Sequence, residues 1–460
     1  MKKVFLSVGA LLLAGTLVFA YQRHTDTKTL ESLLLNEQVK FILTSNRCLD
    51  CHSQSPELPF YASLPIAKDV IEKDVKNGFR YINLQTVVED INNGKVPSEV
   101  DLAKIEQSVA NSSMPPVKFT MMHWHSALDS KEKAVLMNWV KENRLKAYAN
   151  GLSADAFANE AIYPLVDSIP VNPAKVALGA KLFHDTRLSK DNSVSCATCH
   201  SLDSAGVDRL QFSKGIKDQI GGINAPTVFN AAFHIAQFWD GRAADLQAQA
   251  GGPPFDMLEM GSESWDEIIV KLAQDKVLTE EFKSVYPDGY SGANITDAIA
   301  EFEKTLITPN SRFDLYLKGD ENVLTAEEIE GYELFKSNNC ATCHVGQAMG
   351  GQSYEYMGIV ADYFADREMK ADRDIIKTKD QGHFNATNKE SDLQRFKTPS
   401  LRNVALTAPY MHDGTINSLG EATRIMLKYQ VGKELSDNEV DKIVKFMHTL
   451  NGQYNGQELK

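Results

Sequence analysis

Cys-x-x-Cys-His is written three times in this chain, as Cys48-Leu-Asp-Cys51-His52, Cys196-Ala-Thr-Cys199-His200 and Cys340-Ala-Thr-Cys343-His344. The three motifs use all six cysteines, so none is left for a disulfide or a thiolate nucleophile. Two thiols about one helical turn apart can close on the vinyl groups of one haem, and the next residue then sets an imidazole under the iron. A thioredoxin-like pair needs no following histidine, and a zinc site needs two further ligands near each pair. Neither pattern repeats here. The motifs therefore predict three covalently bound c-type haems, with His52, His200 and His344 as proximal iron ligands.

The rest of the chain must position these groups. The motifs start 148 and 144 residues apart in 460 residues, enough for two to four domains with real cores. A net charge of −13 lacks the basic stripe that nucleic acid needs, so no nucleic-acid partner is expected. Lys2 and Lys3 precede an uncharged, mostly apolar run of eighteen residues, Val4–Tyr21. That length suits an N-terminal membrane anchor, and Val18-Phe19-Ala20 also offers an end for a cleaved signal. With the lysines inside, the body is exported to the periplasmic side of the inner membrane of a Gram-negative bacterium, or free into the periplasm after cleavage.

Helical periodicity dominates and strand signals are scarce, which predicts a mainly α fold. Residues 25–45, 69–76, 85–92, 99–111 and 129–147 read as helices around the first motif, broken at Asn111-Ser-Ser-Met-Pro-Pro-Val117. This is the plan of a small cytochrome c, with Met114 as second axial ligand; a packing methionine, or His123 or His125 as ligand, remains the alternative. Residues 175–184 and 326–336 run toward the second and third motifs with similar Leu-Phe faces, a faint internal repeat. Helices are expected again at 418–429 and 436–449. Residues 366–392, dense in mixed charge, read as a long exposed loop.

Two long segments carry a family resemblance. Gly-Ile-Asn-Ala-Pro-Thr-Val-Phe-Asn-Ala-Ala-Phe-His-Ile-Ala-Gln-Phe-Trp-Asp-Gly-Arg, running on to Leu-Glu-Met at 258–260, and Phe-Lys-Thr-Pro-Ser-Leu-Arg-Asn-Val-Ala-Leu-Thr-Ala-Pro-Tyr-Met-His-Asp-Gly at 396–414 resemble bacterial di-haem cytochrome c peroxidases. The likeness spans residues 150–455. With the extra N-terminal haem region, the whole looks like the membrane-anchored tri-haem relatives, which include quinol peroxidases. It implies three cytochrome c-like haem domains, the last two forming a di-haem peroxidase unit: 1–21 anchor or signal, 22–149 mono-haem domain, 150–322 peroxidatic domain and 323–460 electron-transferring domain. It makes the His200 haem peroxidatic and the His344 haem electron-transferring. Met426 matches the family's distal methionine, with Met411 an outside candidate. Gln249 and Glu259 match its catalytic glutamine and glutamate. Trp239 matches the tryptophan between the two haems, although an aromatic in an apolar helix is usually core. Asn224, Thr407 and Pro409 match an interdomain Ca²⁺ site of oxygen ligands. Such relatives often pair as homodimers.

The chemistry expected at the open haem is reduction of hydrogen peroxide to water. A carboxylate in a dry pocket titrates upward, so Glu259 can act as base and then acid. Gln249 can orient peroxide and stabilise developing charge. Many family members carry a distal histidine in a loop that closes the peroxidatic iron. The matching place here is Ile216, and no histidine occurs from Ser201 to Phe233. His234 is expected inside a helix beyond that loop. The peroxidatic haem is therefore expected to be open in the ferric protein, with the segment Ser204–Gly222 and its glycines at 206, 215, 221 and 222 as the only candidate cover. The donor is a quinol or a small cytochrome c. A multihaem carrier without peroxidase activity, and a cofactor-maturation oxidase with tyrosine in place of the distal methionine, are the competing readings; Tyr429 is the residue to examine for the latter.

Overall fold

A computed structural model describes Tyr21 and residues 25–65, 67–367 and 378–459. The candidate membrane segment, apart from Tyr21, lies outside the described residues. Among the described residues no helix is long and apolar enough to cross a membrane. The fold is mainly helical and divides into two compact units, Met1–Tyr148 and Ala149–Lys460.

The first unit is built from α1 (Leu35–Ser45), α2 (Ala67–Tyr81), α3 (Leu84–Asn92), α4 (Glu99–Ala110), α5 (Val117–Met122) and α6 (Ser130–Ala147). Polar caps start them where the sequence places Asn, Ser and Asp: Asn83 caps α3, Ser98 caps α4, and Asp129 with Glu132 forms a capping box on α6. The helix expected over 25–45 is broken at Leu33–Leu34, with Leu34 extended (ψ 156°) and the Leu30 carbonyl taken by Gln38 Nε2 at 2.9 Å. On one continuous helix Leu30 and Val39 would point to opposite sides. The break turns both into a core that also holds Ile42, Val87, Leu102 and the fully buried Trp139.

The second unit is organised by α7 (Pro173–Phe183), α8 (Leu246–Ala250), α9 (Gly292–Glu303), α10 (Ala326–Ser337), α11 (Leu419–Met426) and α12 (Asp437–His448), with a short antiparallel pair β1 (Tyr354–Tyr356) and β2 (Arg395–Lys397). The faint repeat is structural. α7 crosses α9 at Gly179, where a Cβ would lie 1.9 Å from the Ala298 carbonyl oxygen and 2.8 Å from Phe302 Cβ. α10 crosses α12 at Gly331, where a Cβ would lie 2.0 Å from the Lys442 carbonyl oxygen and 3.0 Å from Phe446 Cβ. Each crossing sits in its own apolar core. The duplication continues in Ala-Pro-Thr-Val-Phe-Asn230 and Thr-Pro-Ser-Leu-Arg-Asn403. Both asparagines are fully buried in the left-handed region, with φ 64° and 62°, and both donate Nδ2 to Thr308 Oγ1, at 2.8 and 2.9 Å.

Three expectations change. His234 is not helical: a single tight turn, Ala231–Phe233, leads to an extended His234 (φ −84°, ψ 146°), because Ile235 N donates to the Gly351 carbonyl instead of to a helical partner. Trp239 likewise lies outside regular helix. Residues 366–392 are not simply an exposed loop. Residues 368–377 lie outside the described ones, but Arg367 is buried between Asp380 and Asp413 (2.6 Å to the latter), and Asp380 in turn meets His412 Nε2 at 2.8 Å. A cation and two carboxylates satisfy one another there, which lets charge enter the interior.

Candidate functional site

All three motif histidines are held the same way. His52 Nδ1 lies 2.9 Å from the Gly78 carbonyl, His200 Nδ1 3.4 Å from Gly206 and His344 Nδ1 3.1 Å from Met349. The carbonyls of Pro226 and Pro399, equivalent in the duplication, also bond the His200 and His344 rings. A carbonyl partner fixes the proton on Nδ1 and leaves Nε2 as the ligating nitrogen. Burial pushes all three imidazoles below their ordinary value, toward the neutral form a metal takes. None of the six cysteines forms a disulfide. Burial raises the thiols of Cys48, Cys51, Cys196, Cys199 and Cys340, the opposite of a reactive thiolate. Thiols outside any disulfide, beside an imidazole whose Nδ1 is held by a carbonyl, fit covalent haem.

Gln249 lies on α8, which Asp245 caps through Ala248 N at 2.8 Å and which packs against α9. Glu259 follows the Pro253-Pro254 turn. Burial first, then the nearby charge of Asp256, pushes its carboxyl up to about 7, while Arg242 and Lys379 pull the other way. Burial is the largest cause raising the thiols of Cys196 and Cys199, and the charge of Glu259 adds to both, so Glu259 lies near the second motif. Ile216 is tied to Glu259 through the backbone: its N–H donates to the Glu259 carbonyl at 2.8 Å, while its side chain, 2% exposed, joins the core and packs close to Gly261. The segment 204–222 is correspondingly tied down rather than hinged on its glycines. Lys214 and Ile220 pair across a tight turn, and Gly215 is needed because a Cβ there would lie 2.0 Å from the Leu258 carbonyl oxygen. Of the four glycines only Gly206 has a left-handed φ, +75°.

Trp239, Asn224 and His412 come together. Trp239 Nε1 donates to the Asn224 carbonyl at 2.9 Å, Asn224 N donates to the His412 carbonyl at 2.8 Å, and the Trp239 and His412 rings meet edge-on with centroids 6.3 Å apart. Asn224 Nδ2 donates to the carbonyls of Leu210 and Gln211 at 3.0 and 3.3 Å. The segment 407–409 follows on the same chain, with Thr407 Oγ1 donating to the Val404 carbonyl at 3.2 Å. The Arg367–Asp380–His412 network beside Trp239 was not legible from spacing, because its members are far apart in sequence. Lys397 and His234 lie in the two segments that carry the family resemblance.

On the remaining axial candidates, Met114 is 37% exposed. His123 has both ring nitrogens engaged, Nε2 with Tyr61 OH at 2.6 Å and Nδ1 with the Phe119 carbonyl at 3.2 Å; His125 is exposed. Met426 ends α11, where the helix widens into a π turn, Leu427–Val431, a feature that recurs at functional sites. Tyr429 directs its hydroxyl to Asp366, at 3.0 Å, and accepts from Lys428, also at 3.0 Å. Met411 lies in a left-handed turn with φ 69°.

Known proteins resemble this chain over most of its length. Residues 173–322 match the family model for di-haem cytochrome c peroxidase, residues 11–142 a haem-binding domain and residues 329–451 cytochrome c. The chain is 48% identical over 420 residues to cytochrome c peroxidase Ccp of Escherichia coli, covering 91% of this chain and 88% of that one. It is 43% identical to cytochrome c551 peroxidase of Nitrosomonas europaea, over 64% of this chain and 85% of that one. Methylamine utilization protein MauG of Methylorubrum extorquens is 33% identical over 62% of this chain and 80% of its own length. Among solved structures, a MauG-like protein associated with microbial copper homeostasis superposes with a TM-score of 0.54 at 28% identity, over 63% of this chain and 92% of that one. The chain is a haem c enzyme that reduces peroxide, and it belongs to the di-haem cytochrome c peroxidase family.

Proposed function

We propose that this protein reduces hydrogen peroxide with electrons from a quinol pool, or from a small cytochrome c, relayed through three haems. The order is the haem of Cys48 and Cys51 (His52, Met114), then that of Cys340 and Cys343 (His344, Met426), then the peroxidatic haem of Cys196 and Cys199 (His200). The domains are those expected from the sequence, 22–149, 150–322 and 323–460, with residues 1–21 anchoring or exporting the chain to the periplasmic face of the inner membrane. The engaged nitrogens of His123 favour Met114 as ligand, and the occupied hydroxyl of Tyr429 favours Met426. A Ca²⁺ would be held by Asn224 Oδ1, the atom left once its amide N–H groups are used, and by the Thr407 and Pro409 carbonyls. A homodimer is the proposed assembly.

Held by Cys196, Cys199 and His200, the haem would supply the electrons and the iron for peroxide reduction. The chain supplies the proton path. Glu259 takes the proton from one peroxide oxygen and returns it to the other, which leaves as water; two electrons and two protons convert H₂O₂ to two H₂O. The Gln249 amide donates a hydrogen bond that orients peroxide. Trp239 stands on the route between the two haems of the second unit. The observation that carries this reading is Glu259 itself: a carboxyl that burial pushes up to about 7, near the second motif, with its backbone carbonyl bound by the N–H of buried Ile216. A plain electron carrier has no use for that group.

The test is steady-state peroxide reduction by the purified protein with reduced quinol and, in parallel, with reduced cytochrome c. Turnover with quinol at least tenfold above cytochrome c assigns the quinol pool as donor. Turnover with neither, while an artificial reductant still reduces all haems, contradicts the proposal.

A further inference from the structure

The second unit contains a buried cation that peroxide chemistry does not use. Lys397, on β2, is 7% exposed, and its Nζ lies 3.3 Å from His234 Nδ1. An ammonium only donates, so His234 Nδ1 accepts and the ring proton sits on Nε2. That Nε2 is buried and has no hydrogen-bond partner among the described residues. No carboxylate among the described residues forms an ion pair with Lys397, and burial alone pulls its ammonium down to about 8. A cation without an ion pair and an N–H without a partner, on opposite edges of one buried imidazole, are costly unless anions meet them.

The pair is built into the frame that holds His344. The His234 ring packs so closely on Gly351 that a Cβ there would lie 2.1 Å from Cδ2. Gly351 N donates to the Thr398 carbonyl at 2.6 Å, and Pro399 and Met349 are the residues whose carbonyls hold His344. Lys397 N donates to the Trp239 carbonyl at 2.9 Å, so the pair also adjoins the tryptophan segment. The position is asymmetric. In the duplication, the residue two before Pro399 is Lys397, and the residue two before Pro226 is the neutral Asn224.

We propose that Lys397 and His234 bind the two propionate carboxylates of the haem attached at Cys340 and Cys343. The ammonium takes one propionate and His234 Nε2–H, on the opposite edge of the ring, takes the other. A buried cation beside this haem stabilises its reduced state relative to the peroxidatic haem, and so keeps it the electron-storing partner. The proposal rests on haem attachment at the third motif.

The experiment is a redox titration of the holoprotein, following each haem's absorption, in Lys397→Met, Lys397→Arg and His234→Leu. Lys397→Met is expected to shift the oxidised-to-reduced ratio of the Cys340/Cys343 haem about tenfold toward ferric, ~59 mV lower for one electron. Lys397→Arg should restore most of the shift, and His234→Leu should give a smaller shift of the same sign; the other two haems should not move. An unchanged midpoint in Lys397→Met, or an equal shift in all three haems, overturns the proposal. Should Lys397→Met fail to fold, the same criteria apply to His234→Leu. Mass spectrometry of the Cys340–His344 peptide from the same preparations separates the two levels: a peptide without haem refutes the attachment itself, whereas a haem-bearing peptide with an unmoved potential refutes only the propionate binding.

Discussion

The two halves of the second unit use one scaffold and part company at the haem. Gly179 and Gly331 set the same helix crossing, Asn230 and Asn403 share Thr308, and Pro226 and Pro399 hold equivalent histidines. Away from these points the residues diverge. Buried Phe229 answers to Arg402, which is fully buried and ion-paired to Asp314 at 2.8 Å. Glu303, whose carboxyl burial pushes up to about 8, answers to the equally buried Met447. One half places Ile216 and Glu259 by its motif, and the other ends α11 at Met426. What fixes the proximal imidazole has been kept twice, and what faces the ring has been allowed to differ. In the proposed function, that divergence is what makes one haem the reaction site and the other a relay.

The comparison breaks most sharply at the histidines. His200→Ala is expected to take peroxide turnover to background while the other two haems stay reducible; near-normal turnover would move the reaction to the other half. Next comes Glu259→Gln, which keeps shape but cannot carry a proton and should slow turnover by roughly 10²–10⁴-fold. The base form is the deprotonated one, so wild-type kcat/KM should fall as pH drops through about 7, and that limb should vanish in the variant. A pH profile with the same limb in both would remove Glu259 from the proton path.

The shared scaffold is tested by Gly179→Ala and Gly331→Ala. Each puts a methyl against a neighbouring carbonyl, and each should destabilise the holoprotein by about 1–3 kcal/mol in denaturant titrations. A loss at one site only would mean that the crossings are not equivalent. The smallest effects distinguish ligands. Met426→Ala should turn the Cys340/Cys343 haem high-spin, and Met114→Ala the Cys48/Cys51 haem. Tyr429→Phe should leave every haem spectrum unchanged, since its hydroxyl bonds Asp366 and Lys428; a spectral change there would revive the tyrosine-ligand reading.

Much of this was legible in the residues. The three motifs, the mainly helical fold and the helix starts at Asn83, Ser98 and Asp129 follow from local chemistry that needs no tertiary knowledge. The break at Leu33–Leu34 was not legible, because helical spacing is satisfied on both sides of it and only the shared core of Leu30 and Val39 demands the turn. The Arg367–Asp380–His412 network hid in a stretch whose mixed charge looked solvated, and only folding brings its members together. His234 misled for a similar reason. Its apolar neighbours suggest a helix, yet a left-handed Asn230 and the Gly351 carbonyl draw the chain extended. The repeat was faint because its strongest marks are single glycines and asparagines whose purpose appears only at the crossings.

The central claim is that, among the described residues, the half proposed to be peroxidatic offers no side chain from the segment 204–222 to close its iron, Ile216 being buried in the core with its N–H on the Glu259 carbonyl. Electron paramagnetic resonance of the fully ferric protein tests it most directly. The account predicts a high-spin signal from one haem in three, lost in His200→Ala, together with peroxide consumption by ferric protein that has not first been reduced. A wholly low-spin ferric spectrum, with no reaction until one haem is reduced, would contradict it.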